Sequence, residues 1–174
     1  PERYFNNMVL ALTYNQKVFG QMPEAVLDPT SYFSNEKNWI GMIGFSKQKF
    51  YQDKFVFNYN ITEDIPYGEN IALIVGHQEK NSNSRLYTGL SVSFGRKYSF
   101  GYASGFAEWG SFYDAGLTEQ TTFKLGLNYF SPLISWGNWR FRQFVKPTYV
   151  WGNNRDDSFK DRLTLLDEDG LPGF

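Results

Sequence analysis

Residues 85–94, "RLYTGLSVSF", alternate strictly. Leu86, Thr88, Leu90, Val92 and Phe94 fall on one face, and Tyr87, Gly89, Ser91 and Ser93 on the other. A period of two is the signature of a β-strand with two unlike faces. The same period recurs along the chain. Met8, Leu10 and Leu12 alternate within 4–16, although Val9 and Ala11 fill the gaps. Trp39, Gly41, Ile43 and Phe45 alternate within 39–52, and Phe55, Phe57, Tyr59 and Ile61 within 54–64. "IPYG" at 65–68 reads as a turn, because proline presets one torsion and glycine permits a positive one. A strand over 70–78 then completes a hairpin with 54–64. Segments 85–95 and 98–110 form a second hairpin across Arg96-Lys97. Thr121, Phe123, Leu125, Leu127 and Tyr129 share a face within 118–130. "SPLISWGN" at 131–138 turns the chain, 139–152 returns it, and 162–166 starts one more strand. Pro147 marks a bulge, an edge or the exit from pairing, because proline cannot donate to a ladder.

These elements predict an all-β chain of about eight or nine strands joined as sequential hairpins, an antiparallel meander. There is no composition break, so 1–174 reads as a single β-barrel domain with long loops over 20–38 and 153–161. The ends, "PER" and "GLPGF", read as those of a piece of a larger barrel.

Composition decides what lies on the two faces. Aromatic residues make up 20% of the chain, and the non-apolar faces are built of Gly, Ser, Thr, Asn and Gln with scattered Lys. A soluble sandwich puts charge on its outer face. Strands of roughly 10 residues or more match what a tilted strand needs to cross a bilayer. Aromatic side chains near predicted strand ends suit the membrane interface, and Tyr67, Trp109, Tyr129, Trp136, Trp139 and Trp151 are the candidates. The pattern therefore predicts a transmembrane β-barrel, or about half of one, in a bacterial outer membrane with lipid as its partner. The alternative is a soluble up-and-down β-barrel around an apolar ligand, since alternation alone does not say which face is outside. No apolar run approaches the ~20 residues of a spanning helix. A net charge of −1 gives no reason to expect a nucleic-acid partner, and the absence of cysteine excludes a disulfide scaffold.

Four segments carry a family likeness: "TEDIPYG" (62–68), "YFSPL" (129–133), "GNWRFRQFVKPTYVWGNNR" (137–155) and "LTLLDEDGLPGF" (163–174). Together they resemble Bacteroidetes outer-membrane barrels of the bacterial surface antigen superfamily, which includes barrel-assembly and two-partner-secretion translocases. The likeness covers most of the chain from about residue 39 and implies about half of such a barrel. It also implies protein insertion or translocation through a gated lumen or seam, with complex subunits or a client protein as partners. In that superfamily a loop folded into the lumen carries an Arg-Gly-aromatic motif. Here Gly170, Pro172, Gly173 and Phe174 mark that region, with Pro172 standing where the arginine is expected. A passive porin or structural barrel is the other membrane reading.

Chemistry is sparse. The single histidine, His77, lacks a serine motif that would make Ser91 or Ser93 a nucleophile, so no catalytic residue and no enzyme activity is expected. Acidic runs at Glu63-Asp64, Asp156-Asp157 and Asp167–Asp169 lack the spacing of a calcium loop, so no metal or cofactor is assigned. Arg140 and Arg142 alternate with Trp139, Phe141 and Gln143. With Lys146 and Lys124 they are candidate lumen charges, either in a selectivity role or salt-bridged to Glu108 or Glu119.

Overall fold

The computed structural model describes residues 5–24, 26–28, 33–58, 60–80 and 83–154. It is all-β: β1 (Phe5–Lys17), β2 (Glu36–Lys54), β3 (Thr62–Lys80), β4 (Asn83–Tyr98), β5 (Gly101–Asp114) and β6 (Leu117–Phe130) form an antiparallel meander. Four short strands follow. The hairpin β7 (Ile134–Trp136) and β8 (Trp139–Phe141) stands apart, and β9 (Phe144–Val145) and β10 (Thr148–Asn153) both pair with β6. Among the described residues the sheet is open, with β1 at one edge and β9 and β10 at the other.

Register makes the faces explicit. Leu10, Ile43, Leu73, Leu90, Trp109, Phe123 and Trp151 are successive cross-strand partners, one from each strand from β1 through β6 to β10. Met8, Phe45, Ile71, Val92, Ala107, Leu125 and Tyr149 form the next row. This outer face is exposed: Leu10 is 68% accessible and Leu73 53%. The inner face carries small and polar residues that are more deeply buried, including Ala72 and Gln78. Its glycines serve aromatic neighbours. The Phe106 ring lies where a Cβ on Gly126 would be, 2.2 Å away, and Tyr87 crowds Gly110 in the same way.

Two predicted boundaries are corrected. Segment 54–64 is not a strand, and "IPYG" is not a turn. β2 ends at Lys54, residues 55–61 make the connection, and β3 runs unbroken through Pro66 and Gly68. Phe55 (φ 58°) and Asn60 (φ 57°) take the left-handed torsions of that connection. Gly68 instead twists the strand: its φ is +145°, and a Cβ there would sit 1.9 Å from the Lys47 carbonyl oxygen. Below this twist the alternation inverts. Lys49, Tyr51, Ile65 and Tyr67 turn inward, while Phe50 becomes exposed. β3 also parts from β4 at Gly68–Gly95, which leaves an edge where Pro66 is tolerated. Tyr51, Ile65 and Tyr67 join Val56, Tyr102 and Phe130 in the only buried hydrophobic cluster among the described residues.

The predicted return strand 139–152 is likewise broken. Gly137 (φ 58°) begins a tight turn between β7 and β8. Pro147 separates β9 from β10 at the sheet's edge, one of the places expected for it, but pairing with β6 keeps the same register on both sides and the Pro147 carbonyl accepts the Leu127 N–H at 3.0 Å. The predicted loop 20–38 gives up its last three residues to β2, which starts at Glu36. Of loop 153–161 only Asn153 and Asn154 are described, and the strand at 162–166 lies outside the described residues.

Candidate functional site

Two clusters tie distant strands together on the inner face, one at each end. The upper one centres on Arg85 of β4. Its Nη1 donates to the Glu119 carboxylate of β6 at 2.9 Å, and its Nε to the Gln78 side-chain carbonyl of β3 at 3.0 Å. Gln78 in turn donates to Glu36 of β2 at 2.5 Å, and the guanidinium lies 4.5 Å over the Phe112 ring of β5. Five strands thus meet in one polar belt. Glu119 reaches it through a bulge: Ser111 pairs with Thr121 but Tyr113 pairs with Thr118, so β6 holds one extra residue there.

The lower cluster is built by a strap, residues 131–143, that leaves β6, crosses to the end of β2 and returns to β6 at β9. Its neck is closed by two reciprocal bonds: Ser131 N–H to the Gln143 carbonyl and Gln143 N–H to Ser131 Oγ, each 3.0 Å. Arg142 Nη1 then donates to Asp53 at 3.3 Å and Nη2 to the Lys54 carbonyl at 3.2 Å. The Arg142 side chain is 5% exposed and stacks over Phe130 at 5.1 Å. Arg140 lies 5.6 Å over Phe55, and Phe144 packs on both Phe57 and Phe130. The connection that receives the strap is ordered by Glu63. Its carboxylate accepts the backbone N–H groups of Phe57 (2.8 Å) and Val56 (3.1 Å) and the Asn58 amide (2.8 Å). The Phe57 N–H above all holds this carboxyl below its ordinary range.

The predicted charges therefore separate. Arg140 and Arg142 both end where β2 passes into its connection, Arg140 at Phe55 and Arg142 at Asp53, but Arg142 lies beyond the end of β8 and is buried in its ion pair with Asp53, not Glu108 or Glu119. Lys124 faces inward on β6, directly across from Glu108, with its ammonium 5.8 Å from the Phe106 ring. Lys146 is exposed between β9 and β10. Gly170, Pro172, Gly173 and Phe174 lie outside the described residues, as do both acidic runs beyond 154. Among the described residues there is no group of three side chains arranged to hold a metal.

The predicted interface aromatics divide too. Trp109 and Trp151 face outward, yet in the central row and not at a rim. Tyr67 packs against Tyr51 beside the inner cluster, because the Gly68 twist turns it in. Trp136 and Trp139 pair with each other across the exposed β7–β8 hairpin. Tyr129 does lie at the lower outer rim, donating to the Phe100 carbonyl at 2.7 Å beside the stacked Tyr98 and Phe100 rings. The upper rim is made by residues that alternation alone does not single out: Tyr14, Trp39, His77, Leu86 and Tyr113 are consecutive partners, with Tyr14–Trp39 rings 5.4 Å apart.

His77 belongs to that outer row, whereas Ser91 and Ser93 face inward, so neither serine reaches it. Its Nε2 lies 3.2 Å from Ser84 Oγ and 3.9 Å from Glu79. A nucleophile triad engages the acid and the serine through opposite ring nitrogens, and here one nitrogen faces both.

No family model, curated protein or solved structure matches this chain.

Proposed function

We propose that this chain forms part of the wall of an integral outer-membrane β-barrel, with its outer face toward lipid. The observation that carries the reading is the uninterrupted apolar row from Leu10 to Trp151 on the exposed side of seven strands. A soluble barrel would put its charged network outside and would not expose such a row. Here the network of Arg85, Gln78 and Glu36 and the facing Glu108 and Lys124 lie on the inner side, where a lumen tolerates charge. The lower limit of the apolar band also shifts across the sheet. Lys47 and Glu69 close it on β2 and β3, while their row continues to Phe94 on β4 and Leu127 on β6. Strands tilted to a membrane normal require such a drift.

Within that reading, a barrel closed at one end is favoured over an open anion-selective pore. Arg142 is spent on Asp53 beneath the strap and does not project into a channel. A gated barrel is also what the resemblance to surface-antigen barrels implies, and protein insertion or export is the work we assign to it. The full-length protein, expressed with its native leader, is expected to stay in the membrane pellet after carbonate extraction and to show heat-modifiable mobility. Release into the supernatant as a monomer that binds a fatty acid would overturn the proposal.

A further inference from the structure

β3 and β4 separate below the Gly68–Gly95 pair, while β3 stays paired to β2 and β4 to β5. The split leaves a cleft of about 510 Å³. One wall carries Lys47, Lys49 and Tyr67, and the other Arg96, Lys97 and Tyr98. Four cations, Lys47, Lys49, Arg96 and Lys97, and one carboxylate, Glu69, line it. Lys97 sits 4.4 Å over the Tyr51 ring at the back, and Arg96 reaches Glu69 only at 3.8 Å. Immediately above lie Phe94, Phe45 and Ile71, the lower limit of the exposed apolar rows.

A basic cleft joined to an apolar surface matches an amphiphile with a phosphate head. We infer that this cleft binds the phosphate of an anionic lipid whose acyl chains run up the outer face, an inference that rests on the membrane reading. Arg96 and Lys97 supply the charge that attracts the phosphate, and the parted strands supply the depth. Basic side chains near an anionic surface each strengthen binding severalfold.

The test uses the full-length protein in nanodiscs of mixed phosphatidylglycerol and phosphatidylcholine, with retained lipid read by native mass spectrometry after detergent stripping. Retention is expected to favour phosphatidylglycerol, and the double variant Arg96→Ala/Lys97→Ala is expected to lower that preference about tenfold. Heat-modifiable mobility of the variant reports that it still folds, and Arg96→Lys is expected to keep the preference. Entry into the discs with equal retention of both lipids would overturn this inference alone. Failure to enter the discs would overturn the membrane reading and this inference with it. Titration of the detergent-solubilised protein with inorganic phosphate separates the sources. Tight binding of phosphate that is lost in the double variant would mean a soluble-anion site and would overturn the lipid assignment.

Discussion

Above Gly68 the sheet obeys one alternation on every strand but for the bulge in β6, and below it β2 and β3 obey the opposite one. In the upper part Ile43, Leu73 and Leu90 face outward in register and the polar belt around Arg85 lies inside. In the lower part the odd-numbered Tyr51 and Tyr67, which continue the outward series, turn in and pack beside Ile65. One glycine torsion separates the two regimes. The upper part can present seven strands to an apolar solvent, and the lower part builds a small core and receives the strap. An exposed apolar face and a small packed end thus follow from a single inversion of alternation in two paired strands.

The comparison breaks most completely at Gly68 itself. Gly68→Ala forces a Cβ onto the Lys47 carbonyl in a torsion that L-residues avoid, and it is expected to cost about 4 kcal/mol in urea unfolding from lipid. Next comes a charge on the upper outer face. Leu73→Arg is expected to cost about 3 kcal/mol in the same assay, whereas Ala72→Ser, one residue along and facing inward, should cost less than about 1 kcal/mol. Third is the strap. Arg142→Ala leaves Asp53 without its partner and is expected to destabilise by about 2 kcal/mol. It should also raise single-channel conductance in planar bilayers; unchanged conductance would remove the strap from any gating role.

The smallest effect concerns the connection beneath the strap. The Glu63 carboxyl has its pKa lowered in the fold, so its contribution is present above its unfolded value and lost as pH falls through the folded one. Acidification is therefore expected to loosen residues 55–58, seen as faster amide exchange at Phe57. Glu63→Gln should show that faster exchange already at neutral pH, with the acid-dependent step gone.

Much of the upper part was legible in the sequence, because Leu86 through Phe94 and Phe123 through Tyr129 each keep period two over a whole strand. Strand 118–130 emerged within one residue of its ends; the hairpin of β4 and β5 emerged with ends two to four residues off, because Arg96 and Lys97 continue β4 and the turn falls at 99–100. The lower part was not legible for a specific reason. "IPYG" carries turn residues, yet pairing with Lys47–Phe50 holds them in a ladder, and a glycine in a strand can twist it as well as end it. The Arg142–Asp53 pair joins residues far apart in sequence, and nothing local to either announces the other. The bulge that delivers Glu119 to Arg85 hides in the same way, as one uncounted residue in β6. The rim pair Tyr14 and Trp39 could have been found from the register of β1 against β2 once a turn length was assumed, but the loop between them is long.

The chain has no cysteine, so single cysteines can carry spin labels one at a time from 70 to 76 on β3. In lipid vesicles, collision rates with oxygen and with a water-soluble nickel chelate would be compared at each position. The expected result is a period of two, with 71, 73 and 75 high in oxygen and low in nickel contact and 70, 72, 74 and 76 the reverse. Nickel access at 71, 73 and 75 equal to or above that at their neighbours would contradict a lipid-facing outer surface, and with it the barrel-wall account.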